Sequence, residues 1–455
     1  MLNLTPKTIP EERSALRVNP CKTCQPVGAI YCALGVHNCM PHSHGSQGCV
    51  SYHRTFLSRH FKEPAIASTS SFTEGASVFG GGSNLKTGVK NVFELYDPDV
   101  IAVHTTCLSE TIGDDVGSYI SDMDLPEGKL VVHTNTPSYV GSHVTGFSNM
   151  MCGFINYLAR PGGKKNGKTG IFPGFVNPAD IREMKRLASL MEVPYIMFPD
   201  QSGVMDAPMT GRYDMYPEGG TTIDEIEALG SCNLVLACGA LTSFEAANLL
   251  NRKCKVPYQT LPLPIGLDGT DKYLLALSSI AQQEVPRQIE EERGQLVDVM
   301  LDAHFYYFGK KVAIFGDPDT VLGLTHLALE MGMIPKYVIT GTPGEAFERA
   351  AKEMFLEFGV AGCKAKASAD LFELHQWIKN EPVDLLLGTS YGKQIAKAEN
   401  IPFVRAGFPI LDRYAHSYFP IVGYRGALRL VELITNALLD HWDRECADED
   451  MDVVM

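Results

Sequence analysis

From about residue 20 onward, short runs of apolar and β-branched residues alternate with stretches whose apolar positions recur every three to four residues. The first pattern predicts strands and the second predicts helices. Strands are predicted over Val100–Thr105, Lys129–His133, Val193–Phe198, Asn233–Ala237, Lys311–Phe315, Lys336–Ile339 and Asp384–Leu387. Strands separated by helical patterns make βαβ units and therefore parallel sheets. Nearly every run ends in glycine, proline, serine or aspartate, as in HTTC, HTNTPS, ACGA, FGDPD, ITGTPG and LGTSYG. Ligands of open α/β sheets lie beyond the carboxyl ends of the strands, so chemistry is expected at these ends.

A chain of 455 residues is too long for one core and fits about three. The expected fold class is α/β, with three domains, each a mainly parallel β-sheet flanked by helices. Soft boundaries fall at the glycine- and lysine-rich ARPGGKKNGKTG and after the helical stretch Ile289–Tyr307. They divide the chain into an irregular arm (1–20), a first α/β domain (21–165), a middle one (166–305) and a C-terminal one (306–455) closed by an amphipathic helix, Ala427–Asp443.

The hydrophobic fraction of 45% and charged fraction of 20% belong to a globular chain. A net charge of −14 argues against nucleic acid or an anionic membrane as partner, since both require a basic footprint. No apolar run approaches the roughly 20 residues that span a bilayer, and the start lacks the order of a signal peptide. A cytoplasmic location is expected, where the 12 cysteines are thiols or metal ligands rather than disulfides.

Three of those cysteines stand out. Cys24 in CQPVGA, Cys49 in HGSQGC and Cys107 in TTCLSE each lie beside glycine or at a predicted strand end. Cys24 reads as a ligand on a tight, glycine-softened turn. Cys49 precedes an amphipathic helix, whose N-terminal dipole favours a thiolate. Ser138, in HTNTPSYVGSH, falls at the end of what reads as the strand next to that of Cys107. An iron–sulfur cluster is usually held by four thiolates, so three suggest one completed by another subunit. CKTC at 21–24 has no second pair to form a zinc ribbon. His37, Cys39, His42 and His44 also lack the paired spacing of zinc modules, although a zinc-binding structural protein remains the rival reading of that stretch. FGGGSN at 79–84 lacks the Lys-Ser or Lys-Thr of a P-loop and reads as a flexible turn presenting Phe79. Asp298 and Asp302, four apart on a helix, share one face. They are either a solvated acidic face or half of a hard-cation site whose other ligands come from elsewhere.

Together, CQPVGA, HGSQGC, RHFKEP, FTEGASVFGGGSN, AVHTTCLSETIGDD, TPSYVGSHVTG, EERGQLVD, GDPD, SYGK and GFPILDR resemble the β subunits of nitrogenase molybdenum–iron proteins, from about Asn19 to the C-terminus. The resemblance implies that Cys24, Cys49 and Cys107 are β-side ligands of the P-cluster, an eight-iron, seven-sulfur cluster shared with the α subunit. It implies that Ser138 joins that cluster on oxidation, that Tyr52 neighbours the electron path and that Phe79 packs against a docked iron protein. Glu63 and the backbone carbonyl of Lys62 would meet Asp298 and Asp302 of a second β subunit around a mononuclear iron or calcium ion. The implied partners are the α subunit of an α2β2 heterotetramer, which alone holds the iron–molybdenum cofactor, and a transient, ATP-dependent iron protein homodimer. No residue of this chain is implied to be catalytic in its own right; its share is electron relay.

Cys21 and Cys39 have no expected ligand role, and the chain lacks the N-terminal extension of longer relatives. Two alternatives share the superfamily. A cofactor-assembly scaffold tends to keep fewer of these ligands. Vanadium or iron-only β-type subunits carry HGGQGC-like stretches where this chain has HGSQGC.

Overall fold

In the computed structural model, which describes residues 5–7 and 18–451, the chain forms two compact units. Most of the 1–20 arm lies outside the described residues.

The unit formed by Thr23–Leu261 and Tyr414–Phe419 contains two four-stranded sheets. The first comprises β1 (Cys39–His44), β2 (Ser68–Thr69), β3 (Val100–Thr105) and β4 (Leu130–Thr134), in the order β2-β1-β3-β4. The second comprises β5 (Thr169–Phe172), β6 (Tyr195–Met197), β7 (Leu234–Cys238) and β8 (Tyr258–Leu261), in the order β6-β5-β7-β8. The other unit carries a five-stranded sheet of β9 (Lys311–Gly316), β10 (Ile334–Thr340), β11 (Lys364–Lys366), β12 (Leu385–Gly388) and β13 (Phe403–Arg405), ordered β11-β10-β9-β12-β13. Every pairing within the three sheets is parallel. The expected α/β class with mainly parallel sheets and flanking helices is what the chain adopts. Among the described residues no helix is long and apolar enough to cross a membrane.

Around the first sheet lie α1 (Gln25–Leu34), α2 (Gln47–Phe61), α3 (Glu74–Phe79), α4 (Gly82–Tyr96), α5 (Cys107–Ile112), α6 (Val116–Ser121) and α7 (His143–Leu158). The apolar side of α4, through Leu85, Val89, Val92 and Phe93, packs with Val116 and Ile120 of α6 against Met40, Ile101, Val103 and Val131. Each large side chain buried in this way stabilises the fold by about 1.5–3 kcal/mol. Every residue of α1 is buried, and past Gln25 the helix is apolar around its circumference, as suits a helix inside a core. It lies against α7 with almost no spacing. A Cβ at Gly28 would come within 1.7 Å of the His143 carbonyl oxygen, and one at Gly146 within 1.9 Å of that of Gln25. Gly28 is therefore a packing residue inside a helix and does not soften a turn.

Strand β1 (CMPHSH) is wholly buried, yet half polar and interrupted by proline. Its histidines are satisfied internally. His42 hydrogen-bonds Ser68 and Ser70, at 2.9 Å each, and His44 hydrogen-bonds Ser70 and Asp114, at 2.9 and 3.0 Å. The density of histidine that invites a zinc reading here makes a polar core strand. Cys21 packs in the core of the third sheet beside Phe315 and Tyr337, and Cys39 is buried at the start of β1. Burial pushes both thiols up. Cys232, Cys238 and Cys254 are buried, whereas Cys152 and Cys363 are only half-buried. Cys363 lies outside any helix and contacts the Ala361 carbonyl at 3.9 Å.

Candidate metal-cluster site

The order of the first sheet reverses between β1 and β3, and such a switch point opens a crevice beyond the strand ends. The register sets His44, the last residue of β1, opposite Thr105, the last of β3. Five residues past the first is Cys49, and two past the second is Cys107. Each cysteine begins a helix. Cys49 lies in the first turn of α2 behind the N-cap Ser46, whose hydroxyl accepts from the Gly48 N–H. Cys107 is the first residue of α5, behind the capping box of Thr106 and Ser109. Cys24 is the N-cap of α1, in extended conformation.

The fold brings these thiols together. Cys49 and Cys107 interact directly through their side chains, and Cys24 lies within electrostatic reach of Cys49. All three are half-buried. Burial pushes the Cys24 thiol up, against the opposing pull of the Thr23 hydroxyl, and burial with the neighbouring Cys107 pushes Cys49 up. Without a cation, desolvation is the largest influence on both thiols. A soft, positively charged iron–sulfur group would reverse that balance, and three convergent thiols supply part of the thiolate set it requires. Among the described residues no three His, Cys, Asp or Glu side chains are grouped tightly enough for a single ion.

The connecting loops are cross-tied. Thr136, in the segment between β4 and Ser138, donates from its N–H to Thr105 Oγ1 and from its hydroxyl to the Thr105 carbonyl, both at 2.7 Å. Gln25, next to Cys24, donates to the Val140 carbonyl at 3.0 Å and accepts from Asn149 at 2.9 Å. Ser138, half-buried, is held between these two ties. His53 Nε2 is 3.2 Å from Cys24 Sγ. Sequence reasoning missed Gln25, His53, Thr105 and Thr136. Gln25 follows a singled-out cysteine, but nothing local marks the other three.

Other expected residues are distributed as follows. Tyr52 is exposed on α2, one turn past Cys49. Phe79 ends α3 and is 90% exposed. Lys62 caps α2 in the left-handed region (φ 65°), its ammonium 4.9 Å from the Tyr414 ring centroid, and Glu63 follows it, half-buried. Asp298 and Asp302 are exposed on the helix Arg287–Asp302, whose buried side is Ile289, Leu296 and Met300.

Three thiols gathered beyond the strand ends of a parallel α/β sheet are soft-donor chemistry of the kind that redox metalloproteins use. The family model of nitrogenase component 1 type oxidoreductases matches residues 24–439, and the chain belongs to that family. It is 63% identical over 458 aligned residues to the nitrogenase molybdenum–iron protein beta chain of Clostridium pasteurianum, with 100% of both chains covered. It is 40% identical to the beta chain of that name from a Nostoc species, covering 95% of this chain and 86% of the relative. The solved structure of nitrogenase Cp1 at pH 6.5 superposes with a TM-score of 0.98 at 63% identity, covering both chains completely.

Proposed function

We propose that this chain works as the β-type half of a molybdenum–iron nitrogenase complex, with Cys24, Cys49 and Cys107 as its three thiolate ligands to a P-cluster shared with an α subunit. The observation that carries this reading is the convergence of these thiols at the β1/β3 switch point, in a chain whose near relatives bear the beta-chain name. When bound, the P-cluster supplies a redox relay between a docked, ATP-hydrolysing iron protein and the iron–molybdenum cofactor of the α subunit, where dinitrogen becomes ammonia.

The chain's own residues do the holding. The three helix starts present thiols toward one crevice, and their N–H groups offset the thiolate charge. Thr105, Thr136 and Gln25 fix the loop of Ser138, whose oxygen is available as a hard anionic ligand to the more positive, oxidised state. Exposed Phe79 offers an aromatic anchor for the iron protein, and Tyr52 stands on the helix whose first turn carries the cluster ligand Cys49. Glu63 and the Lys62 carbonyl of one copy, with Asp298 and Asp302 of another, would hold a hard iron or calcium ion. Both aspartates are exposed and free of ion pairs among the described residues, as such a shared site requires.

Anaerobic purification with the α partner tests the reading. Cys107→Ala should abolish P-cluster signals and dinitrogen reduction. An intact cluster in that variant overturns the assignment.

A further inference from the structure

Behind the exposed Phe79 lies a buried carboxylate that ties three otherwise separate segments. Asp114 follows α5, and its side chain is 2% exposed. Both of its oxygens accept from the Gly81 N–H, at 3.1 Å each. Oδ1 also accepts from the Tyr119 hydroxyl at 3.2 Å, and Oδ2 accepts from His44 Nε2–H at 3.0 Å. Gly81 is the second residue after Phe79, in the short turn between α3 and α4. A Cβ at Gly81 would stand 2.1 Å from Phe72 and 2.8 Å from Asp114 Oδ2. The turn is therefore seated on the carboxylate and is no free surface loop. Gly80, left-handed at φ 97°, is the hinge beside it.

From Asp114 the connection runs to the cluster ligands by two routes. His44, fixed by Asp114, ends β1, and its carbonyl accepts from Thr106 Oγ1 at 3.1 Å and Ser109 Oγ at 2.8 Å, the two capping residues that set the start of α5 at Cys107. The Asp114 N–H itself donates to the Ser109 carbonyl at 3.1 Å. On the other side, the Phe72 ring packs edge-on against His44 at 4.8 Å, and its N–H donates to the Gly45 carbonyl at 3.0 Å, four residues before Cys49. With His44 Nε2–H directed at the carboxylate, His44 Nδ1 accepts from Ser70, and Ser70 accepts from His42, so one acceptor orders a chain of buried polar groups. A buried carboxylate cannot surrender a donor without cost, so a shift of Gly81 obliges His44 to follow.

We propose that Asp114 is a positioning residue that couples the Phe79 docking turn to the segments carrying Cys49 and Cys107, so that seating a partner on Phe79 is felt at the cluster ligands. The proposal rests on the docking role of Phe79 given above, and on one contiguous hydrogen-bonded network within a single compact unit.

Hydrogen–deuterium exchange on the complete α–β complex, with and without the iron protein, reads the coupling directly. In the native complex, docking should slow exchange both in residues 79–82 and in residues 105–112. In Asp114→Asn, which keeps one acceptor oxygen but turns a donor toward Gly81 or His44, only the first segment should respond. Turnover in Asp114→Asn should fall about tenfold at saturating iron protein, with KM for that protein unchanged, and the iron content should match the native complex. Phe79→Ala should instead raise KM. Native exchange at 105–112 that ignores docking, full transmission in Asp114→Asn, or loss of iron in that variant overturns the proposal. If Asp114→Asn does not assemble, Tyr119→Phe decides, and native transmission and turnover there count against it. A Phe79→Ala complex with native KM would instead overturn the docking role on which the proposal rests.

Discussion

Thr136 grips Thr105 twice, N–H to hydroxyl and hydroxyl to carbonyl, both at 2.7 Å and both buried, and so fastens the loop after β4 to the end of β3. Thr136→Val keeps the shape and the N–H bond but leaves the Thr105 carbonyl without that donor. A loss of about 1–2 kcal/mol is expected, seen as an apparent Tm a few degrees lower. A changed spectrum of the oxidised cluster should accompany it, because Ser138 lies two residues on. Native Tm together with a native oxidised spectrum would refute the role.

At the α1–α7 crossing the expected effect is larger. A methyl at Gly28 has no room, with the His143 carbonyl oxygen 1.7 Å away. Gly28→Ala must push apart two buried helices, one of which starts at Cys24. Overpacking of this kind costs about 1–3 kcal/mol or more, and iron per complex should fall with stability. A Gly28→Ala complex with full iron content and unchanged Tm would show that the helices part freely.

The buried histidines predict a steep acid limit. Burial, with His44 adding, holds His42 down to about 3, and burial lowers His44 and His104 as well. Unfolded histidine titrates near 6.5, so between about pH 3 and 6.5 the unfolded chain binds more protons than the folded one. Stability from His42 is complete above about pH 6.5 and drains as pH falls toward 3, at about 1.4 kcal/mol per pH unit, and His44 and His104 act in the same direction. His42→Gln should flatten the Tm profile between pH 5 and 6.5. Profiles parallel to the native one would contradict this.

Asp298→Asn with Asp302→Asn should remove the ion proposed between two β copies while sparing the P-cluster. Metal analysis should show loss of that ion alone, and sedimentation should show weaker tetramer association. Retention of the ion in the double variant would place its ligands elsewhere. Neither aspartate packs in the core, so folding of the isolated chain should change by less than about 0.5 kcal/mol.

Strands made of contiguous β-branched residues were legible directly. Val100–Thr105 is observed with those bounds, and Lys129–His133 is shifted by one residue to Leu130–Thr134. The strand Cys39–His44 was not legible, because His42, Ser43 and His44 look like surface or metal chemistry until Ser68, Ser70, His104 and Asp114 are placed around them. The long helical pattern Ile289–Tyr307 proves to be two helices, parted at Ala303.

What the sequence determined by itself was the alternation of strand and helix, the parallel α/β class, and three cysteines short of a closed ligand set. Those follow from local spacing and donor count, which need no third dimension. Only the tertiary structure decided that β1 and β3 adjoin at a switch point, that Cys49 meets Cys107 there, and that Thr136, Gln25 and Asp114 hold the loops in place. These are contacts between residues 31 to 115 positions apart. No local propensity encodes them, because they exist only once the sheet order has paid the entropy of bringing the segments together.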